Sequence, residues 1–392
     1  MPTPDHTRPP LVSRALALYF LAAFGAMVSF YLLLSVVPLY ATSAGTNGIG
    51  AGLTTGALMF ATVAAELATP ALLARFGYRL VLAAGMVLLG APALALTVTS
   101  SLPAILAVSL VRGVGLAIAV VAGSSLVATL AARGRRSEAL GLLGVVVGIP
   151  AVVALPLGVW LAEHVGFPPV FVAGAVTALA CLVVMPALPG HTQGAAPPVG
   201  VLAGLRAPAQ TRPAVVFLLT AMGAGIVVTF LPLATRASGG LAAPALFANA
   251  TASTLARWWA GRYGDRHGQS GLLVLGVVAC AAGMLALALG ASPAPVVAGA
   301  VLLGLGFGVA QNASLTLMFE RVSPSGYDVV SAVWNLAYDA GLGLGAAGFG
   351  VVAARAGYAG GFGITAGLML VALGPVWRDR RWLVPADESR SS

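Results

Sequence analysis

Four charged side chains stand inside otherwise apolar runs of this sequence: Glu66, Arg112, Arg257 and Asp339. A charge at the centre of a bilayer costs at least about 2.5–3.5 kcal/mol on insertion scales for Arg and Asp, so each needs a reason to be there. Asp339 is the sharpest candidate. Ser331, Asn335, Tyr338 and Asp339 fall at i, i+4, i+7 and i+8, one polar face on an apolar helix. A carboxyl in low dielectric can exchange a proton in the accessible pH range, as proton coupling requires. The competing reading is a structural pair with an arginine. Arg112 lies nine residues beyond Pro103 and Asp339 twelve beyond Tyr327. At helical rise these are depths of about 13 and 18 Å, both near a midplane. Glu66 and Arg257 each fall about one turn before a polar motif and are expected nearer the surface, where Arg257 can snorkel.

The elements that position these groups follow from composition. The chain has 392 residues, 59% of them hydrophobic and 8% charged, with a mean hydropathy of +0.98. A soluble protein of this length needs a polar surface that this composition cannot supply. Apolar runs of about 18 residues or more recur from end to end, each long enough to cross a bilayer. The chain is expected to be an all-α polytopic membrane protein. Twelve spans can be placed, near 14–40, 49–74, 79–98, 103–131, 138–161, 166–188, 212–234, 241–263, 270–290, 294–319, 327–353 and 357–377. The first run is too long for a signal-peptide core. Residues 189–212, rich in Pro, Gly and Ala, divide the chain near its middle and are expected to be a flexible cytoplasmic linker between a six-helix half at 1–188 and another at 213–392.

All the basic residues are arginines, spread among short loops instead of gathered in one patch, so a net charge of +9 does not indicate nucleic acid. With both termini in the cytoplasm, only Arg236 and Arg355 fall in outside loops, which satisfies the positive-inside rule. The two cysteines lie within apolar runs and the four histidines in tails or loops, so neither a disulfide framework nor a metal site is expected, and no cofactor is implied. No Walker-type phosphate loop is present to support ATP drive.

A repeat is legible at an offset of 191. Arg75 and Gly77 match Arg266 and Gly268, Gly113 and Gly115 match Gly304 and Gly306, and Gly166-Phe167 matches Gly357-Tyr358. Glu66 and Arg257 occupy equivalent positions. Two parallel six-helix halves are a known transporter plan.

With these motifs the sequence resembles the major facilitator superfamily, and most closely its drug:proton antiporter branch. The loop Gly261-x-x-x-Asp265-Arg266-x-Gly268 is similar to the superfamily's signature, whereas Pro70 and Ala74 replace its glycine and aspartate in the first half. Leu-Val-Arg112-Gly-Val-Gly is similar to the branch's arginine motif. Gly144-x-x-x-Gly148-Ile-Pro150 and Pro156-Leu-Gly158 approximate its antiporter signature. The resemblance covers nearly the whole chain.

It implies a central cavity lined by helices 1, 4, 7 and 10, with Phe20, Phe24, Met27, Tyr31 and Ser35 on the first helix and Gln311 and Asn312 on the tenth; Asn335 and Tyr338 add to it from the eleventh. Such a cavity suits an uncharged or amphipathic solute. Arg257, Gly261, Asp265, Arg266 and Gly268, with Arg75, Gly77, Pro150 and Pro156, are expected to serve gating. The intact Asp265 is expected to make the second-half latch the stronger one. For Asp339, Arg112 and Glu66 the expected role is proton coupling or substrate binding.

The function these features imply is secondary active transport by alternating access, with proton-coupled export of a small amphipathic compound by a monomer in the cytoplasmic membrane. The alternative is proton symport of a sugar, organic acid or amino acid. A membrane-embedded enzyme would show clustered His, Cys or carboxylates within spans, and a sensor an appended soluble domain; the sequence has neither.

Overall fold

Helices start and stop where local chemistry dictates. A computed structural model describes residues 13–131, 135–190, 207–236, 239–290, 292–323, 326–371 and 373–374. The Ser13 hydroxyl accepts from the Leu16 N–H at 3.3 Å and opens α1 (Arg14–Leu34). Pro38 has no N–H to offer the Leu34 carbonyl, so the pass breaks at Ser35 and resumes as α2 (Val36–Ser43). Asn47 caps α3 (Gly48–Ala95), accepting from the N–H groups of Ile49 and Gly50 at 3.0 and 3.3 Å. Then come α4 (Leu102–Leu130), α5 (Arg136–His164) and α6 (Phe167–Ala180), which a 3₁₀ turn continues over Cys181–Ala187. The second half holds α7 (Pro208–Ala234), α8 (Ala242–His267), α9 (Gln269–Ala288), α10 (Pro293–Glu320) and α11 (Tyr327–Val371). Prolines stand in the first turn of α4, α6, α7 and α10, where the missing N–H would have had no helical partner.

Nine helices among the described residues are long and apolar enough to cross a membrane. Two of these, α3 and α11, run to 48 and 45 residues and are divided by Gly77 and Gly357. The less apolar α8 carries Asn249, Thr251, Ser253, Thr254 and Arg257. Counting α1 with α2 as one pass, and each of α3 and α11 as two, gives twelve helical passes, consistent with the expected number.

The repeat is built into the backbone. Gly77 (φ 74, ψ 168) and Gly268 (φ 82, ψ 156) make one pair of turns 191 residues apart; Gly166 (φ 97, ψ 170) and Gly357 (φ 70, ψ 174) make another. That region of backbone space is essentially open to glycine alone. Helix packing repeats as well. Gly113 lies against the Leu58 carbonyl and Gly304 against that of Asn249, again 191 apart.

One expectation fails here. The motifs at 70–77 and 261–268 are not loops; both stay helical until the glycine turns at Gly77 and Gly268. Polar residues alone do not stop a helix, and the left-handed glycine does. Glu66 and Arg257 therefore each stand eleven residues inside their helices, about 16 Å deep instead of one turn. Pro70 within α3 also leaves the Glu66 carbonyl without its helical donor.

The halves meet along a seam of small residues toward the end of the bundle remote from Arg14. There α3 presents Gly48, Gly52 and Gly56 to Gly343, Ala346, Ala347 and Gly350 of α11, backbone against backbone. Nearby, Thr55 and Thr229 share a hydrogen bond of 3.0 Å between halves. Pro232 leaves the Val228 carbonyl of α7 without a helical donor, and the Ser35 hydroxyl donates to that carbonyl from the other half.

Candidate functional site

Near the middle of the bundle, side chains from both halves converge. The carboxyls of Glu66 on α3 and Asp339 on α11 lie beside each other. Asp339 is 8% exposed, and Glu66 Oε1 is buried without a hydrogen-bond donor. Among the described residues no N–H or O–H donates to either carboxyl, so two acid groups stand together in the interior without a donor from the protein. Beside them the side chains of Tyr31 (α1) and Tyr338 (α11) face each other across the same interface, with Asp339 and Arg257 both in their neighbourhood. Arg257 donates from Nη1 to Gln311 Oε1 on α10 at 3.4 Å. Its Nη2 lies 3.4 Å from where a Cβ on Gly148 of α5 would stand. Glu66, Gly148, Arg257, Gln311 and Asp339 each lie within about five residues of the middle of their pass, the depth at which secondary carriers of this plan hold their cargo.

Beside this cluster the second half builds an aromatic stack that sequence reasoning did not single out. Phe217 lies parallel to Trp334 at 4.6 Å between ring centroids, and Phe307 and Tyr338 extend the stack at 6.0 Å each. The i, i+4 spacing of Trp334 and Tyr338 was a signal, lost in an apolar background; Phe217 and Phe307 had none. The Thr55–Thr229 pair was equally invisible, because unremarkable hydroxyls acquire a role only when the helices meet.

Arg112 stands apart from the cluster. It is 1% exposed, donating from Nε to the Leu89 carbonyl at 3.0 Å and from Nη2 to the Ser29 carbonyl at 3.2 Å. No carboxylate lies within ion-pair distance of it among the described residues. Its position ties α1 and α3 to α4 within one half.

The remaining candidates are scattered. Gly261 lies under the Asn312 amide, whose Oδ1 is buried without a partner. The side chain of Asp265 falls outside the described residues, while Arg266 is exposed and Gly268 makes its turn. In the first half, Arg75 lies over the Phe76 ring at 5.2 Å, beside the Gly77 turn. Pro150 and Pro156 are buried within α5. The expected aromatic stripe of α1 divides: Phe20 and Met27 are buried in the core, Phe24 is 38% exposed, and Tyr31 alone joins the cluster. Asn335 is half-buried on α11. A depression of about 450 Å³ is lined by Phe76, Arg79, Leu182 and Met185, near the Gly77 turn, and does not include the carboxyl pair.

Twelve passes in two repeated halves, with polar groups meeting at mid-depth between them, define a polytopic membrane carrier. The sequence profile of the Major Facilitator Superfamily matches residues 19–346 and 213–392, and the chain belongs to that family. Its members are transporters of small molecules and not enzymes. No curated protein matches the sequence. Solved structures of the same fold include the nucleoside transporter NupG, 16% identical with a TM-score of 0.73 over 93% of this chain and 99% of that one. A bacterial homolog of the human lysosomal transporter Spinster, in an inward-facing and unoccupied conformation, is 15% identical with a TM-score of 0.76 over 95% and 97%. The xylose transporter XylE from E. coli is 13% identical with a TM-score of 0.73 over 95% and 98%.

Proposed function

We propose that the protein exports a small amphipathic compound in exchange for protons, working as a monomer in the cytoplasmic membrane with both termini inside. In this reading the halves 1–188 and 213–392, joined by 189–212, alternate access to the central cluster. The facing carboxyls of Glu66 and Asp339 carry the proposal, because they span the two halves and have no donor but a proton. A proton between them favours the state in which the halves touch. Its loss leaves two like charges facing each other in low dielectric and favours separation, which biases alternation through differential affinity for the two states. The helix ends at Gly77 and Gly268, with Arg75, Gly261, Asp265 and Arg266, would govern the cytoplasmic gate, and Pro150 and Pro156 would let α5 flex beside it.

The test is accumulation of solute by inverted vesicles under an imposed pH gradient. Asp339→Asn should abolish proton-driven accumulation and spare exchange without a gradient. Full activity in that variant would remove the pair from the mechanism, and solute moving in the same direction as the protons would replace export by symport.

A further inference from the structure

The poles of the central cluster are related by the internal repeat. At the offset of 191, Glu66 corresponds to Arg257 and Gly148 corresponds to Asp339. The Glu66–Asp339 contact is therefore the counterpart of the approach of Arg257 to Gly148. One side of the pseudo-twofold axis carries two facing carboxyls. The other carries a guanidinium facing a residue with no side chain. Where the repeat would set a second aspartate, Arg257 Nη2 is the one atom among the described residues, outside the helix itself, that comes within 4 Å of the Cβ position, so the place is open.

Each pole is incompletely matched by the protein. No donor reaches the buried carboxyls among the described residues, and Glu66 Oε1 has no partner. Arg257 makes one long bond to Gln311, with no carboxylate at ion-pair distance among the described residues. Tyr31 and Tyr338 neighbour both Asp339 and Arg257, and the Tyr338 ring continues into the stack with Phe217 and Trp334.

We infer that this centre takes a small zwitterion. Its ammonium would sit between Glu66 and Asp339, its carboxylate beside Gly148 against Arg257, and its body along the tyrosine and tryptophan rings. An ammonium brings three N–H donors to oxygens that have none, and a carboxylate matches the guanidinium fork. A plain amine leaves Arg257 unpaired, and a plain acid leaves the carboxyls without a donor; either omission strands a partly desolvated charge. The inference rests on the carrier reading above and names its cargo.

The experiment measures binding to purified wild-type protein in detergent, with no gradient. The probes are para-aminomethylbenzoate, its single-charge relatives benzylamine and para-methylbenzoate, and ω-aminoalkanoates of increasing length. The zwitterion should bind about thirtyfold or more tighter than either relative, since each relative leaves one pole unmatched. Gly148→Asp supplies the missing carboxylate and should erase that preference over benzylamine; Arg257→Gln should do the same by another route, which guards against a folding defect in either variant. Equal affinity for benzylamine and the zwitterion, a preference that survives both variants, or no binding across the series overturns the inference. Proton-driven export of other solutes without zwitterion binding would remove the cargo class and leave the carrier reading. Zwitterion binding with no movement under a pH gradient would do the reverse.

Discussion

Gly52 offers a way to tilt the balance between conformations with one methyl group. A Cβ at that position would run into the carbonyl oxygen of Ala346 on the opposite half. A backbone atom cannot turn aside as a side chain can, so Gly52→Ala forces the seam between α3 and α11 apart. Overpacking of this kind costs about 1–3 kcal/mol. That cost falls only on the state in which the seam is closed, so the ratio of open to closed seam should rise by roughly 5- to 150-fold. The assay is a distance distribution between spin labels at Ser43 and Arg236, both exposed near the seam end of opposite halves. The native Cys181 and Cys280 are buried and leave introduced cysteines as the reactive ones. The longer-distance population should grow in Gly52→Ala. It should not change in Gly144→Ala, where nothing among the described residues outside the helix itself lies within 4 Å of the added carbon. An unchanged distribution in folded Gly52→Ala protein, or a contraction, would refute the claim that the seam opens during the cycle.

Two further expectations concern polar contacts within the bundle. Thr55→Val or Thr229→Val alone strands one buried hydroxyl and should lower stability by about 1–3 kcal/mol, whereas the double variant should recover part of the loss; strictly additive melting shifts would mean the bond between them contributes nothing. Arg112→Lys cannot span the carbonyls of Ser29 and Leu89 as the guanidinium fork does, and should forfeit about 1.5–3 kcal/mol of bundle stability. Transport in that variant should fall in step with the folded fraction, so lost transport at full thermal stability would show that Arg112 acts in the transport cycle itself.

Much of the architecture was legible because a bilayer imposes simple rules. Long apolar runs, sparse arginines and a fixed offset of matched glycines were enough to place twelve passes in two halves. The site was legible residue by residue and not as a constellation. Glu66, Arg257 and Asp339 stood out because a charge in an apolar run is conspicuous. Their meeting was hidden, since Glu66 and Asp339 are separated by most of the chain and only the docking of halves joins them. The depth assigned to Glu66 and Arg257 was wrong for a local reason: Arg and Asp near a helix end read as a loop, yet helix persists to Gly77 and Gly268. Arg112 stood out by the same conspicuousness, but that its guanidinium would be held by carbonyls of its own half was not legible.

The paired glycine turns also bear on how such a protein can acquire a new cargo. An L-residue is strained at Gly77, Gly166, Gly268 or Gly357, so the bends that set pass against pass admit little variation. The mid-helix positions obey no such restriction. The two copies of one plan hold Glu66 where the other has Arg257, Arg112 where the other has Leu303, and Gly148 where the other has Asp339. In the proposed reading, selectivity is rewritten at a few mid-depth side chains, one copy at a time, while the skeleton that sets the passes against one another is inherited unchanged.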